Sequence, residues 1–232
     1  MPEMKHIDSV LHTIDCYVRY QIKKMSLKLQ MSTAEARLLQ QKLADKVLTK
    51  DVLPKKLKSI CGVDASYKGG MVRCAAVIFD YNQKKVVESV TSSLNDAVPY
   101  IPGFFMLKES RPIFHTLKKL EKKFDILLVD GNGQLHPRHC GLACYVGLML
   151  DKPVIGVAKK LLCGTVHSDS KVKYDGKVVG FQLNQGKKKI FVSIGNKISL
   201  KTAVKIVKHL TLEQNWYPEP LRLADLNSKS VK

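Results

Sequence analysis

The chain has 232 residues, 45% of them apolar, with 14 glycines and 9 prolines, which excludes a disordered protein and gives enough material for one sizeable core. Against 20 acids stand 39 lysines and arginines, a formal charge of +19, so the surface draws polyanions and nucleic acid is the expected partner. No stretch approaches the ~18 apolar residues of a membrane span, no signal-peptide segment opens the chain, and the 6 cysteines contain no CxxC pair, so a cytoplasmic protein with buried, reduced thiols is expected.

Residues 6 to 50 carry apolar positions at helical spacing (Ile7, Val10, Leu11, Ile14, then Leu38, Leu39, Leu43, Val47). The spacing predicts one or two helices ended by Pro54, with a start at Thr33 ahead of Glu35 and Ala36. From Ser59 the pattern becomes β: strands over 59–67, 72–79 and 84–90, joined by Gly69-Gly70 and by a turn containing Asn82, form an antiparallel meander. Helical spacing returns at Glu109, with Ile113, Phe114, Leu117 and Leu120, and runs to Phe124. The strand over 125–129 has no polar interior residue, as a central strand covered on both faces requires. A helix over 138–150, a strand over 154–157, β segments over 178–183 and 190–193, and a helix over 199–210 complete the chain, with a loose tail after Asn227. The order βββαβαβ predicts a single α/β domain of the ribonuclease H-like class: a mixed sheet flanked by helices on both faces, with a helical extension over 1–33, a core over 34–226 and a tail over 227–232.

In that arrangement the first and fourth strands are neighbours, which brings Asp64 and Asp130 together from the ends of two apolar runs. Either acid alone reads more simply as a turn cap. Both together, with Glu109 nearby and a basic surface around them, supply the two or three carboxylates that hold Mg²⁺ for phosphodiester hydrolysis, with Mn²⁺ as a substitute. Gly131 and Gly133 permit close backbone approach to a substrate. His136 and Arg138 read as supporting or phosphate-contacting groups, because Mg²⁺ prefers oxygen ligands. Lys159, just beyond a buried strand, points out at the same sheet end as Asp130 and suits a phosphate. Tyr100, held between Pro99-Tyr100-Ile101-Pro102 and Gly103, makes a stiff tip that reads equally as a wedge in a base stack or as a core-packed connection.

These residues resemble the endonuclease V family over residues 34–226. The motifs that carry the resemblance include Gly62-Val63-Asp64-Ala65-Ser66-Tyr67, Pro99 to Gly103 with Glu109, Val129-Asp130-Gly131-Asn132-Gly133, His136-Pro137-Arg138, Gly156-Val157-Ala158-Lys159 and Arg222-Leu223-Ala224-Asp225. The resemblance implies a metal-dependent enzyme that hydrolyses the second phosphodiester 3′ to inosine, leaving 3′-hydroxyl and 5′-phosphate ends. It implies Asp64, Glu109 and Asp130 as metal ligands, Lys159 as a phosphate-contacting lysine and Asp225 as a further acid. Tyr100 becomes the wedge tip, and Gly103, Phe105, Gly131, Leu142 and Leu162 the pocket for the flipped base. Asn132 departs from the histidine of many bacterial members, and the position of Asp225 varies between Asp and His. The implied partner is inosine-containing DNA or single-stranded RNA, the implied state a monomer. A mismatch- or structure-directed nuclease and a non-catalytic nucleic-acid binder are the alternatives on the same fold.

Overall fold

The computed structural model describes residues 32–96 and 98–230. Met1–Arg37 and Leu38–Lys232 are separate units, and of the first only residues 32–37 are among those described, so the expected extension lies almost wholly outside them. The first helix, α1 (Thr33–Ala44), begins on a capping box: the Ser32 hydroxyl accepts from the Glu35 amide at 3.2 Å, and the Glu35 carboxylate accepts from the Ser32 amide at 2.9 Å.

Next come β1 (Ser59–Lys68), β2 (Met71–Asp80), β3 (Val86–Asn95), α2 (Phe105–Leu117), β4 (Ile126–Asp130), α3 (Leu142–Leu150) and β5 (Val154–Ala158). They are followed by β6 (Thr165–Val166), β7 (Lys171–Tyr174), β8 (Lys177–Gln185), β9 (Lys188–Asn196), α4 (Leu200–Leu210) and α5 (Glu219–Ser230). The strands make one mixed sheet in the order β3-β2-β1-β4-β5-β9-β8-β7-β6, with β1–β4 and β4–β5 parallel. Helices cover both faces. Thr116 of α2 reaches Cys74 and, at 2.6 Å, Ser92 from one side, while Ala224 of α5 packs on Ala75 and Val77 from the other. Ile60, Leu127, Leu128 and Ile155 are fully buried between the layers.

Several boundaries differ from the sequence reading, each for a local reason. Helix α2 starts at Phe105 rather than Glu109, without a side-chain cap, and stops at Leu117 rather than Phe124. Leu120 keeps the apolar spacing but sits in a turn, its amide bonded to the Leu117 carbonyl. Helix α3 starts at Leu142 rather than Arg138, because residues 134–139 fold into successive tight turns. Strands β6 and β7 were not foreseen, and the tail expected to be loose after Asn227 instead continues α5 to Ser230.

Candidate active site

The register fixes the site. Val63 pairs with Val129 and Asp130 with Val157, so Asp64, Asp130 and the residues after β5 meet at one end of the three central strands, which are spaced about 4.8 Å apart. Asp64 lies on the same face of β1 as Gly62, two residues before it, and that face is covered by α5. There Asp225 is hydrogen-bonded to Asp64. Glu109 is buried in the second turn of α2, and its Oε1 accepts from the Tyr67 hydroxyl at 3.0 Å. Lys159 follows β5 and places its Nζ 2.5 Å from Asp130 Oδ2 and 4.8 Å from the centre of the Tyr217 ring. The buried Tyr217 hydroxyl lies between the Val157 carbonyl, at 3.1 Å, and the Asp130 carboxylate.

Burial first, then the charges of Asp130 and Glu109, push the Asp64 carboxyl up to about 9, against the opposing pull of Lys159 and the Ala65 amide. Burial likewise pushes Glu109 up to about 8, with Asp130 adding to the rise and the bond from Tyr67 opposing it. Two carboxyls that hydrogen-bond to each other need one proton between them. Asp64 carries it. Asp225 is raised by burial but held below the usual carboxylate range by its bonds to Lys229 and Asp64 and by the Lys159 charge. Burial lowers Lys159, yet Asp130 and Asp64 more than compensate and keep its ammonium charged above the usual lysine range.

This is a site with more carboxylates than positive charge to match them, and the donors are hard oxygens that suit Mg²⁺ or Mn²⁺. Among the described residues no three acid, histidine or cysteine side chains already stand in coordinating positions; Asp130 is turned onto Lys159, and Asp64 onto the Asp225 carboxylate. Protons and a lysine thus fill the electrostatic role that a cation can take. Close by in sequence, Asn132 Oδ1 is buried without a hydrogen-bond partner, an acceptor that a donor on a bound molecule would satisfy.

The loop from Pro99 to Gly103 is anchored on both sides. On one, Lys108 bonds the Asp96 carboxylate at 2.8 Å and the Val98 carbonyl at 2.9 Å. On the other, the Gly103 carbonyl accepts from the Arg138 guanidinium, from His136 Nε2 at 3.1 Å and from Gln40 Nε2 at 3.3 Å, while Arg138 Nε donates to Gln40 Oε1 at 2.6 Å. Burial and the Arg138 charge hold the His136 ring down to about 4, so it is neutral, with Nδ1 accepting from the Arg138 amide. His136 and Arg138 therefore grip the loop. Between the anchors Tyr100 stands 61% exposed, its ring edge-on to Phe105 at 6.0 Å. Gly131 lies against Leu142, where an added Cβ would stand 3.2 Å from the leucine side chain, whereas Leu162 is exposed on the loop after β5. Tyr217 and Gln40 were missed in the sequence. Neither sits in a motif, and only the fold carries them to Asp130 and Gly103.

A family profile described as endonuclease V matches residues 41–226. The endonuclease V of Thermofilum pendens is 43% identical over 201 residues, covering 84% of this chain and 87% of that protein. Among solved structures, endonuclease V of Bacillus subtilis superposes with a TM-score of 0.79 at 31% identity, covering 87% of this chain and 93% of the other. Endonuclease V of Ciona intestinalis, solved with a 24-residue DNA containing an inosine followed by a ribo-adenosine, gives a TM-score of 0.74 at 29% identity, covering 84% and 95% of the two chains. With a profile match over most of its length, the register of β1, β4 and β5 that assembles Asp64, Asp130 and Lys159, and relatives of this similarity, the chain belongs to the endonuclease V family.

Proposed function

We propose that the protein hydrolyses the second phosphodiester on the 3′ side of inosine in a nucleic-acid strand, leaving 3′-hydroxyl and 5′-phosphate ends, and that Asp64, Glu109 and Asp130 hold the Mg²⁺ or Mn²⁺ it uses. The observation that carries this reading is the crowding of buried acids: Asp64 raised to about 9 and Glu109 to about 8 beside Asp130 make a pocket that gains most from a divalent cation. When bound, the cation supplies neutralisation of phosphate charge and a more acidic water.

The protein's own groups do the rest. Lys159, with its charged end already among the acids, contacts the scissile phosphate, and Asp225, held ionised, orients Asp64 from α5. Pro99, Ile101 and Pro102 stiffen the tip that presses Tyr100 into the gap left by the flipped base. Gly103, Phe105, Gly131, Leu142 and Leu162 line the pocket for hypoxanthine. Guanine differs from hypoxanthine by its 2-amino group, and a tight pocket with no acceptor for that group excludes it.

The five described cysteines are free thiols, which favours a reducing, intracellular compartment; no helix among the described residues is long and apolar enough to cross a membrane. The reading is tested by digesting matched inosine-bearing DNA, RNA and hybrid strands with the parent protein and with Asp64→Ala and Asp130→Ala. The parent nicks one bond beyond the inosine's 3′ neighbour with Mg²⁺, and both variants bind without cutting. Undiminished cutting by the variants, or equal cutting of inosine-free controls, rejects it.

A further inference from the structure

Beside the acids lies a cleft that the reaction above does not use. It has a volume of about 230 Å³ and is lined by Leu183 and Asn184 of β8, Ile190 of β9, Lys208 at the end of α4, and Thr211 and Trp216 in the loop to α5. We infer that this cleft is a stacking seat for one nucleobase of the substrate strand, outside the hydrolysed step. The inference rests on the nuclease reading and adds a second contact to the same strand.

Size is the first argument. Cavities that enclose whole drug-sized ligands run to about 300–1,000 Å³, so this one takes a flat ring rather than an entire nucleotide. Chemistry is the second. The half-buried Trp216 indole, with Leu183 and Ile190, offers an apolar bed, and none of the six lining residues is acidic. Lys188 Nζ stands 5.3 Å from the centre of the Trp216 ring, and Lys208 Nζ stands 5.8 Å from that of Phe181. Lys187, Lys188 and Lys189 are all exposed around the β8–β9 turn. An aromatic face with exposed ammonium groups beside it is the arrangement that holds single strands: the ring takes the base and the lysines take the phosphates. An exposed lysine over a half-buried ring is held more weakly than a stacked base, so Lys188 yields its place and moves onto the backbone.

Position is the third argument. Trp216 packs on Tyr217 with ring centres 5.3 Å apart, and Tyr217 in turn lies under Lys159 and against Asp130. In the sheet, Ala158 at the end of β5 pairs with Phe191 near the start of β9, so the β8–β9 turn projects at the same end as the acids. A strand whose phosphate lies at Lys159 therefore reaches the cleft without crossing the molecule.

Trp216 is the single tryptophan of the chain, so its fluorescence reports on this cleft alone. The experiment titrates the whole protein, in metal-free buffer so that nothing is cut, with inosine-containing single strands that are either complete or carry an abasic residue at successive positions on each side of the inosine. Saturating the protein with the complete strand quenches Trp216, and abasic residues at one or two positions on one side abolish the quench. Binding followed by anisotropy of a labelled strand gives the second readout. Trp216→Ala binds the complete strand about tenfold more weakly than the parent but matches it on the abasic strand that removes the quench, and Trp216→Phe keeps the parent's affinity. No quench at saturation, a quench that no abasic position removes, or a Trp216→Ala variant weakened equally on complete and abasic strands overturns the inference. Nicking of inosine strands without a quench rejects the stacking seat alone; a base-dependent quench without nicking rejects the nuclease reading and leaves the seat standing.

Discussion

Gly62→Ala is expected to lower both stability and activity, and the structure sets the size of each effect. A Cβ at position 62 would stand 2.4 Å from the Pro220 carbonyl carbon, 2.5 Å from its oxygen and 2.7 Å from the Leu221 nitrogen, where ordinary contact begins at 3.4 Å. All three are backbone atoms in the first turn of α5, so no rotamer change relieves the overlap, and the helix must retreat by about 1 Å. Overpacking of this kind costs about 1–3 kcal/mol. For a domain of this size that lowers the melting temperature by about 2–12 °C. Because α5 carries Asp225 to Asp64, and Tyr217 lies just before it, the same retreat misplaces two groups of the site, and a 1 Å misplacement costs about 10²-fold in rate. Melting followed by circular dichroism and single-turnover nicking of an inosine strand at saturating Mg²⁺ measure the two effects. Gly176→Ala is the control: at φ +69 with nothing within 4 Å, it strains the β7–β8 turn by about 1–2 kcal/mol and leaves nicking unchanged. A Gly62→Ala protein that melts and cuts like the parent, or a Gly176→Ala protein that loses as much activity, refutes the reasoning.

Acid should loosen the protein through His136. Its pKa in the fold, about 4, lies below the ordinary 6.5, so the stability it contributes is complete above pH 6.5 and drains away as the pH falls toward 4, by about 3 kcal/mol. His136→Gln flattens that limb in denaturant titrations across the range, and an unchanged slope contradicts the assignment. Tyr217→Phe removes the hydroxyl between Val157 and Asp130; a loss of about 1 kcal/mol in stability and about tenfold in nicking rate is expected, read by melting and by single-turnover cleavage. Tyr100→Ala, at an exposed tip, leaves stability unchanged but slows cutting of inosine in duplexes about tenfold more than in single strands, which a paired rate measurement decides.

What the sequence shows of this molecule follows from how each element is stabilised. β1, β4 and β5 are legible because the runs at 60–63, 126–129 and 154–158 are apolar and buried between the two helical layers, and the ends of those runs set Asp64, Asp130 and Lys159 at one end of the sheet. β6 and β7 are two and four residues long, β7 is half lysine, and both exist only as an extension of β8, so no periodicity announces them. α5 escaped notice because Pro220 near its start and its polar residues look like a tail, although Leu221 and Ala224 make it a core element. The grip on Gly103 shows the same limit: Arg138 was visible as a charged residue near the acids, but its turn toward Gln40 and the loop depends on contacts nearly 100 residues apart in sequence.

The most direct test of the central claim, that scattered acids converge on one divalent cation, is isothermal titration of the full protein with Mn²⁺ at pH 7 in buffers of different ionisation enthalpy. With Asp64 raised to about 9 and Glu109 to about 8, both are largely protonated at that pH, so a cation that takes both displaces about two protons. The predicted result is a release approaching two protons per cation and an affinity that rises with pH, both lost in Asp64→Asn. Binding without proton release, or undiminished binding by Asp64→Asn, would contradict the account.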